Sequence, residues 1–156
     1  MRRKDRKIIE RDAQMEILNR CDCVRIAFAV ENEPYIVAMT FGYVWEDKLK
    51  LYLHSAGEGK KLDMMRRNNR VCFQMDTDHQ LIVDELSCRW GMKYAGIVGR
   101  GTLVEVTEEE ERFFGLERLM ENYGKTGTNR FAAEMLQVTT VLRLDVDELC
   151  AKRRVE

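Results

Sequence analysis

The stretch Leu51-Tyr-Leu-His-Ser-Ala-Gly-Glu-Gly-Lys-Lys-Leu-Asp63 gathers residue types that could do chemistry. Its order suggests an anion site. It reads as a strand, a turn loosened by Gly57 and Gly59, and a helix opened by Lys60 and Lys61. Free N–H groups and the helix dipole make such a junction attractive to phosphate. Two lysines in a first helical turn carry the wrong sign for that dipole. Each costs about 0.3–1 kcal/mol, which a bound anion would reverse. Ser55 adds a hydroxyl donor. The alternative is a solvated turn in which Glu58 compensates two surface lysines, and spacing alone leaves both readings open. The segment is no Walker loop, because Gly-x-x-x-x-Gly-Lys-Ser/Thr is absent. Gly99-x-Gly101 falls inside a strand rather than at a dinucleotide-binding turn.

The chain has two histidines. His54 ends the strand before the turn and could give or take a proton at a neighbouring ligand, or merely hydrogen-bond locally. His79 lies in a polar loop and reads as solvated. Five cysteines include no Cys-x-x-Cys pair, so no zinc site is expected. Cys72 reads as a buried thiol and Cys88 as an inert one. Trp90 and Tyr94 suit either a planar ligand or an interface between subunits. Phe113, Phe114 and Met120 have helical spacing and read as core.

The elements that must hold these residues are short strands. A helix is expected over 12–20, capped by Asp12, and strands over 24–30, 35–45 and 49–54. The first three strands, closely linked, suggest an antiparallel meander. A helix over 60–69, a strand over 71–75, an irregular segment over 76–93 and a strand over 94–106 follow. Thr107-Glu-Glu-Glu110 forms a capping box for a helix running to Tyr123, with Phe113, Leu116, Met120 and Tyr123 inward. A short helix over 130–136 and a sixth strand over 139–146 complete the chain. Strands do not alternate with helices as βαβ units. The expected class is therefore mainly β, a largely antiparallel barrel of six or so strands with peripheral helices.

Composition bounds the function. The 156 residues carry 26 basic and 27 acidic side chains. One domain spanning residues 1–156 is expected, and a dedicated nucleic-acid partner is not. The basic start, Met1 to Lys7, reads as a solvated tail. The sequence has no signal-peptide core and no apolar run long enough for a membrane span, and its thiols suit a reducing compartment. A cytoplasmic protein is expected.

Several segments together resemble the nitroimidazole-resistance flavoproteins of the pyridoxamine 5′-phosphate oxidase-like superfamily. They are Leu51-Tyr-Leu-His-Ser-Ala, Gly59-Lys-Lys-Leu, Asn69-Arg-Val-Cys-Phe, Tyr94-x-x-Ile-Val-x-x-Gly, Glu33-Pro-Tyr-Ile-Val and the N-terminal Arg-Arg-Lys-Asp-Arg. The resemblance implies a split β-barrel homodimer with FMN between the subunits. Lys60 and Lys61 match the pair that holds the FMN phosphate, with His54 and Ser55 beside the cofactor. Met39, Thr40 and Phe41 match the strand against the isoalloxazine ring, largely through backbone. Lys93 and Tyr94 match the start of the later strand bordering the flavin. His54 matches a histidine on the substrate side and is the candidate catalytic residue. The strand over 39–44 lacks the basic residue that the superfamily often places there. The vitamin-making oxidase is not expected, because its arginine- and histidine-containing C-terminal segment has no counterpart in 138–156. The resemblance implies FMN-dependent reduction of a small electron-poor substrate, nitro-aromatic by analogy. The alternative is a non-catalytic flavin- or haem-binding carrier or sensor.

Overall fold

The computed structural model describes residues 4–155. The sheet dominates it: eight strands, all paired antiparallel, in the order β3-β2-β6-β7-β8-β5-β4, with β1 also against β8. β1 is Lys7–Ile8, β2 Val24–Val30, β3 Glu33–Met39, β4 Gly42–Trp45 and β5 Leu49–Ala56. β6 is Arg70–Ile82, β7 Gly91–Val106 and β8 Thr139–Arg154. The helices are α1 (Arg11–Arg20), α2 (Lys60–Arg67), α3 (Glu109–Asn122) and α4 (Ala133–Val138).

β2 follows from period-2 alternation of Val24, Ile26, Phe28 and Val30, all buried. Glu31 and Asn32, both at positive φ, make the two-residue turn into β3, so Glu33 and Pro34 belong to the strand. Only Thr40 and Phe41 link β3 to β4, yet these strands occupy opposite ends of the sheet order. Met39 and Gly42 are three residues apart, at most about 11 Å of chain. The sheet must therefore roll until its two ends nearly meet. The result is a barrel that hydrogen bonds do not close, the expected split barrel with peripheral helices. The expected meander is corrected: its middle strand, expected unbroken over 35–45, is two strands at opposite ends of the sheet, β3 paired with β2 and β4 with β5. A core of Ile26, Phe41, Leu51, Leu53, Phe73 and Leu144 fills the interior.

Other expectations change as well. The segment over 76–93 is not mostly irregular: β6 continues to Ile82 and β7 begins at Gly91, giving a long hairpin whose far end exposes Leu81, Val83, Leu86, Trp90 and Met92. There are eight strands rather than six, and β8 runs on to Arg154. Glu10, not Asp12, is the N-cap of α1. Glu108 caps α3 with its own side chain, accepting from the Glu111 N–H at 3.1 Å, so the residue one step after Thr107 serves. The tail is partly tied down, since Lys7 and Ile8 pair with Lys152 and Ala151. Residues 1–3 of that arm lie outside the described residues. Cys72 is half-buried rather than buried, and His79 is held by Asp76 at 2.6 Å.

α3 carries the wall of the site, and three features seat it. Gly42 lets its backbone touch: a Cβ there would lie 2.2 Å from the Arg118 carbonyl carbon. Arg143 grips Asp145 with two hydrogen bonds, at 2.8 and 2.9 Å, and Glu111 with a third at 2.5 Å, while the Tyr52 hydroxyl donates to Glu111 at 3.0 Å. Arg112 donates to the carbonyls of Leu136 and Thr139, fixing the end of α4.

Candidate functional site

The split is where the predicted site residues gather. Its two edges are β3 and β4, and β5 runs on past β4, which pairs only with its Leu49 to Tyr52 half. Thr40 in the crossing and His54 on β5 are exposed and line one cavity of ≈ 520 Å³. Its walls are Leu116, Leu119 and Met120 of α3, with Phe131, Met135 and Leu136 of the following segment. Met39 and Phe41 are buried in the core, so only their backbone can face a ligand. The Phe41 N–H is engaged already: it donates to the Tyr123 hydroxyl at 3.2 Å, which in turn donates to the Asp22 carbonyl at 2.6 Å. Tyr123 thereby pins the crossing to the end of α3.

Six residues after His54, α2 opens. Its N-cap, Gly59, has φ +129 and no side chain capping it. A positive φ of this kind suits glycine; the Leu62 and Asp63 amides donate to the Gly59 carbonyl at 2.9 and 3.2 Å, which leaves those of Lys60 and Lys61 for a ligand. Lys60 and Lys61 make no ion pair among the described residues. Lys60 instead places Nζ 4.9 Å from the ring centroid of Tyr35 on β3, reaching across the split. Two cations without a counter-charge at a helix start fit an anion. Ser55 is buried, and its hydroxyl donates to the Ala56 carbonyl at 2.8 Å, so it must rotate before it can donate to a ligand.

Lys93 and Tyr94 are not brought to this place. His54 pairs with Val141 on β8, whereas Tyr94 pairs with Arg154, thirteen residues further along the same strand. That is about 40 Å of strand path. Around Tyr94 the surroundings are basic. Burial pushes its phenol up, but hydrogen bonds and charge from Lys152 and Arg6 outweigh this and hold it below its ordinary value.

Sequence reasoning missed most of the cavity wall. Phe113 (39 % exposed), Phe114 (37 %) and Met120 (37 %), expected in the core, lie outside it, and Tyr123, expected inward, is 46 % exposed; Gly115, Leu116 and Leu119 are the buried face of α3. The signal was an apolar stripe wider than the barrel needs. Arg130 also lines the cavity and carried no pattern that singled it out. Among the described residues no group of His, Cys, Asp and Glu could hold a metal, and no helix is long and apolar enough to cross a membrane. Arg66, Arg67 and Arg70, a candidate basic patch, are each paired with a carboxylate, on Glu105, Glu31 and Asp147.

Residues 10–153 match the family model described as pyridoxamine 5′-phosphate oxidase. Among solved structures, a candidate 5-nitroimidazole antibiotic resistance protein from Bacteroides thetaiotaomicron is similar at 27% identity and a TM-score of 0.80, over 94% of this chain and 86% of that one. The flavocytochrome Anf3 from Azotobacter vinelandii superposes with a TM-score of 0.81 at 14% identity, over 100% and 72% of the two chains. A FAD- and haem-binding protein from Mycobacterium smegmatis gives 0.81 at 15%, over 97% and 74%. At those identities the last two speak for the fold alone. No curated protein matches the sequence.

Proposed function

The chain belongs to the pyridoxamine 5′-phosphate oxidase family, and from that membership we propose that it is an FMN-binding reductase of small electron-poor, nitro-aromatic substrates, acting as one domain over residues 1–156. One conjunction carries the reading. At a single split stand two lysines without a counter-charge at a helix start, and His54 and Thr40 in the lining of an apolar cavity.

Lys60 and Lys61 hold the phosphate at the start of α2. The backbone over Met39 to Phe41 lies along the ring, with Thr40 the one side chain of the three turned outward. Bound flavin supplies two-electron transfer from an external reductant to the acceptor. Reduction of a nitro group to nitroso consumes two electrons and two protons and releases water. His54, exposed in the cavity lining, is placed to deliver one of those protons. The apolar side chains of α3 and α4 offer the acceptor a surface to pack against.

The reading needs a second copy. Lys93 and Tyr94 border a flavin only if a partner supplies them, since their own His54 is a strand-length away. The hairpin end near them exposes Leu81, Val83, Leu86, Trp90 and Met92, an apolar surface suited to burial against another subunit. We therefore propose a homodimer with FMN between the subunits. Five free cysteines suit the reducing cytoplasm. A second reading, a haem-holding carrier, is favoured by His54 as the one imidazole in a mostly apolar lining. The visible spectrum of the purified protein separates the two: flavin bands support the first, a Soret band the second. Absence of flavin bands after reconstitution with FMN would overturn the first. With flavin bound and reduced anaerobically, a nitro-aromatic should reoxidise it, and His54→Ala should slow that step.

A further inference from the structure

The cavity's lining is chemically lopsided. Leu116, Leu119, Met120, Phe131 and Leu136 make it apolar, and Thr40, Thr139 and His54 supply polar groups. Its one permanently charged residue is Arg130, and no carboxylate lines it. Arg130 makes no ion pair or hydrogen bond among the described residues, unlike Arg112, Arg118 and Arg143 nearby, each of which is engaged. Arg130 is exposed, and its guanidinium, without a partner beside the apolar walls, presents a fork of donors suited to a carboxylate. At ≈ 520 Å³ the space lies within the usual range for small-molecule sites.

We infer that this cavity selects a planar, mostly apolar molecule carrying one anionic group, whose charge is met by Arg130. The flat body lies between α3 and the 131–136 segment, and the anion points to Arg130. As the specificity of a reductase this rests on the flavin reading above; as a binding preference it does not. Arg130 touches the ligand away from the reacting group, so it sets affinity rather than chemistry.

The test uses the full purified chain, its flavin content read from the visible spectrum, and three probes of one shape: 4-nitrobenzoate, neutral 4-nitrobenzyl alcohol and cationic 4-nitrobenzylammonium. Calorimetry should find the anion bound at least fivefold more tightly than the alcohol, and the cation most weakly. Arg130→Gln should bring the anion down to the alcohol's affinity and leave the alcohol unchanged, which a misfolded variant would not do. Ala132→Trp, at the cavity wall, should weaken all three probes while the circular dichroism and melting temperature stay at wild-type values. Equal binding of anion and alcohol, a preference that survives Arg130→Gln, or full binding by a folded Ala132→Trp would each overturn the assignment. Anion selectivity in a chain that takes up no FMN would uphold the cavity's preference and overturn only the flavin reading.

Discussion

Replacing both lysines at the start of α2, Lys60→Ala with Lys61→Ala, should weaken FMN binding by at least tenfold and spare riboflavin. Neither ammonium has a carboxylate to lose among the described residues, so the substitution removes only what the ligand would use. A hydrogen bond to a charged group contributes about 1.5–3 kcal/mol. Lys60 is exposed and Lys61 half-buried, and solvent screening takes each toward or below the lower end. A joint loss of about 1.4 kcal/mol is one decade in affinity. Stability should hardly change. Removing two cations from the positive end of a helix returns about 0.3–1 kcal/mol each. Losing the Lys60 contact with the Tyr35 ring takes back about 0.5–1 kcal/mol. Parallel titrations followed by flavin fluorescence, with thermal melts of the flavin-free protein, read both quantities. FMN affinity within twofold of wild type would place the phosphate elsewhere. An equal loss for riboflavin would mean that the whole site had collapsed and that no phosphate contact was removed.

Three further outcomes are expected. Gly42→Ala should destabilise the protein by more than about 2 kcal/mol in urea melts, because the new Cβ meets the α3 backbone at 2.2 Å and one of them must move; wild-type stability would show that α3 is not held there. Tyr52→Phe should flatten the alkaline loss of stability: burial, then the hydrogen bond to Glu111, push this phenol from 10.0 to about 12, so its contribution is complete below pH 10 and vanishes as pH rises through about 12. Urea melts at pH 8 and pH 11 that fall equally for wild type and variant would refute this. Leu86→Glu with Trp90→Glu should convert a micromolar dimer to monomer in sedimentation equilibrium and reduce FMN retention, whereas a wild-type monomer that keeps its flavin would refute assembly through the hairpin end.

Where the chain alternates over a buried face, its sequence was enough. β2 was read to the residue because Val24, Ile26, Phe28 and Val30 point inward between turn signals. The same rule failed for 76–82. There Asp76, Thr77, Asp78, His79 and Gln80 lie beyond the core, so neither face demands apolar residues and a long strand leaves no periodicity. The meander failed for another reason. Residues 35–45 are rich in β-branched and aromatic side chains and read as one strand, whereas Thr40-Phe41 breaks it and carries the chain from one end of the sheet to the other. What decides it is the closing of the barrel, a property of all the strands together. α3 misled because Met120 and Tyr123 continue its apolar stripe past the barrel and line a cavity with it.

The candidate site divides along the same line. His54, Ser55, Lys60 and Lys61 fall within eight residues, so one strand-turn-helix unit places them and their types could be read locally. Thr40 joins them only because the chain crosses there between β3 and β4, the two edges of the split barrel, and Tyr123 secures that crossing from 82 positions away in the chain. Lys93 and Tyr94 belong with them only through a second molecule, so neither spacing nor the single-chain fold could have united them. The order of dependence follows. The anion site should survive changes to the hairpin end that dissolve the dimer, as a weakened phosphate site still favouring FMN over riboflavin. If the monomeric variant loses that preference entirely, then the partner, and not α2, supplies the phosphate's principal contacts. Lys152 and Arg6, clustered with Tyr94 at the far end of β8, would then be the cations to replace.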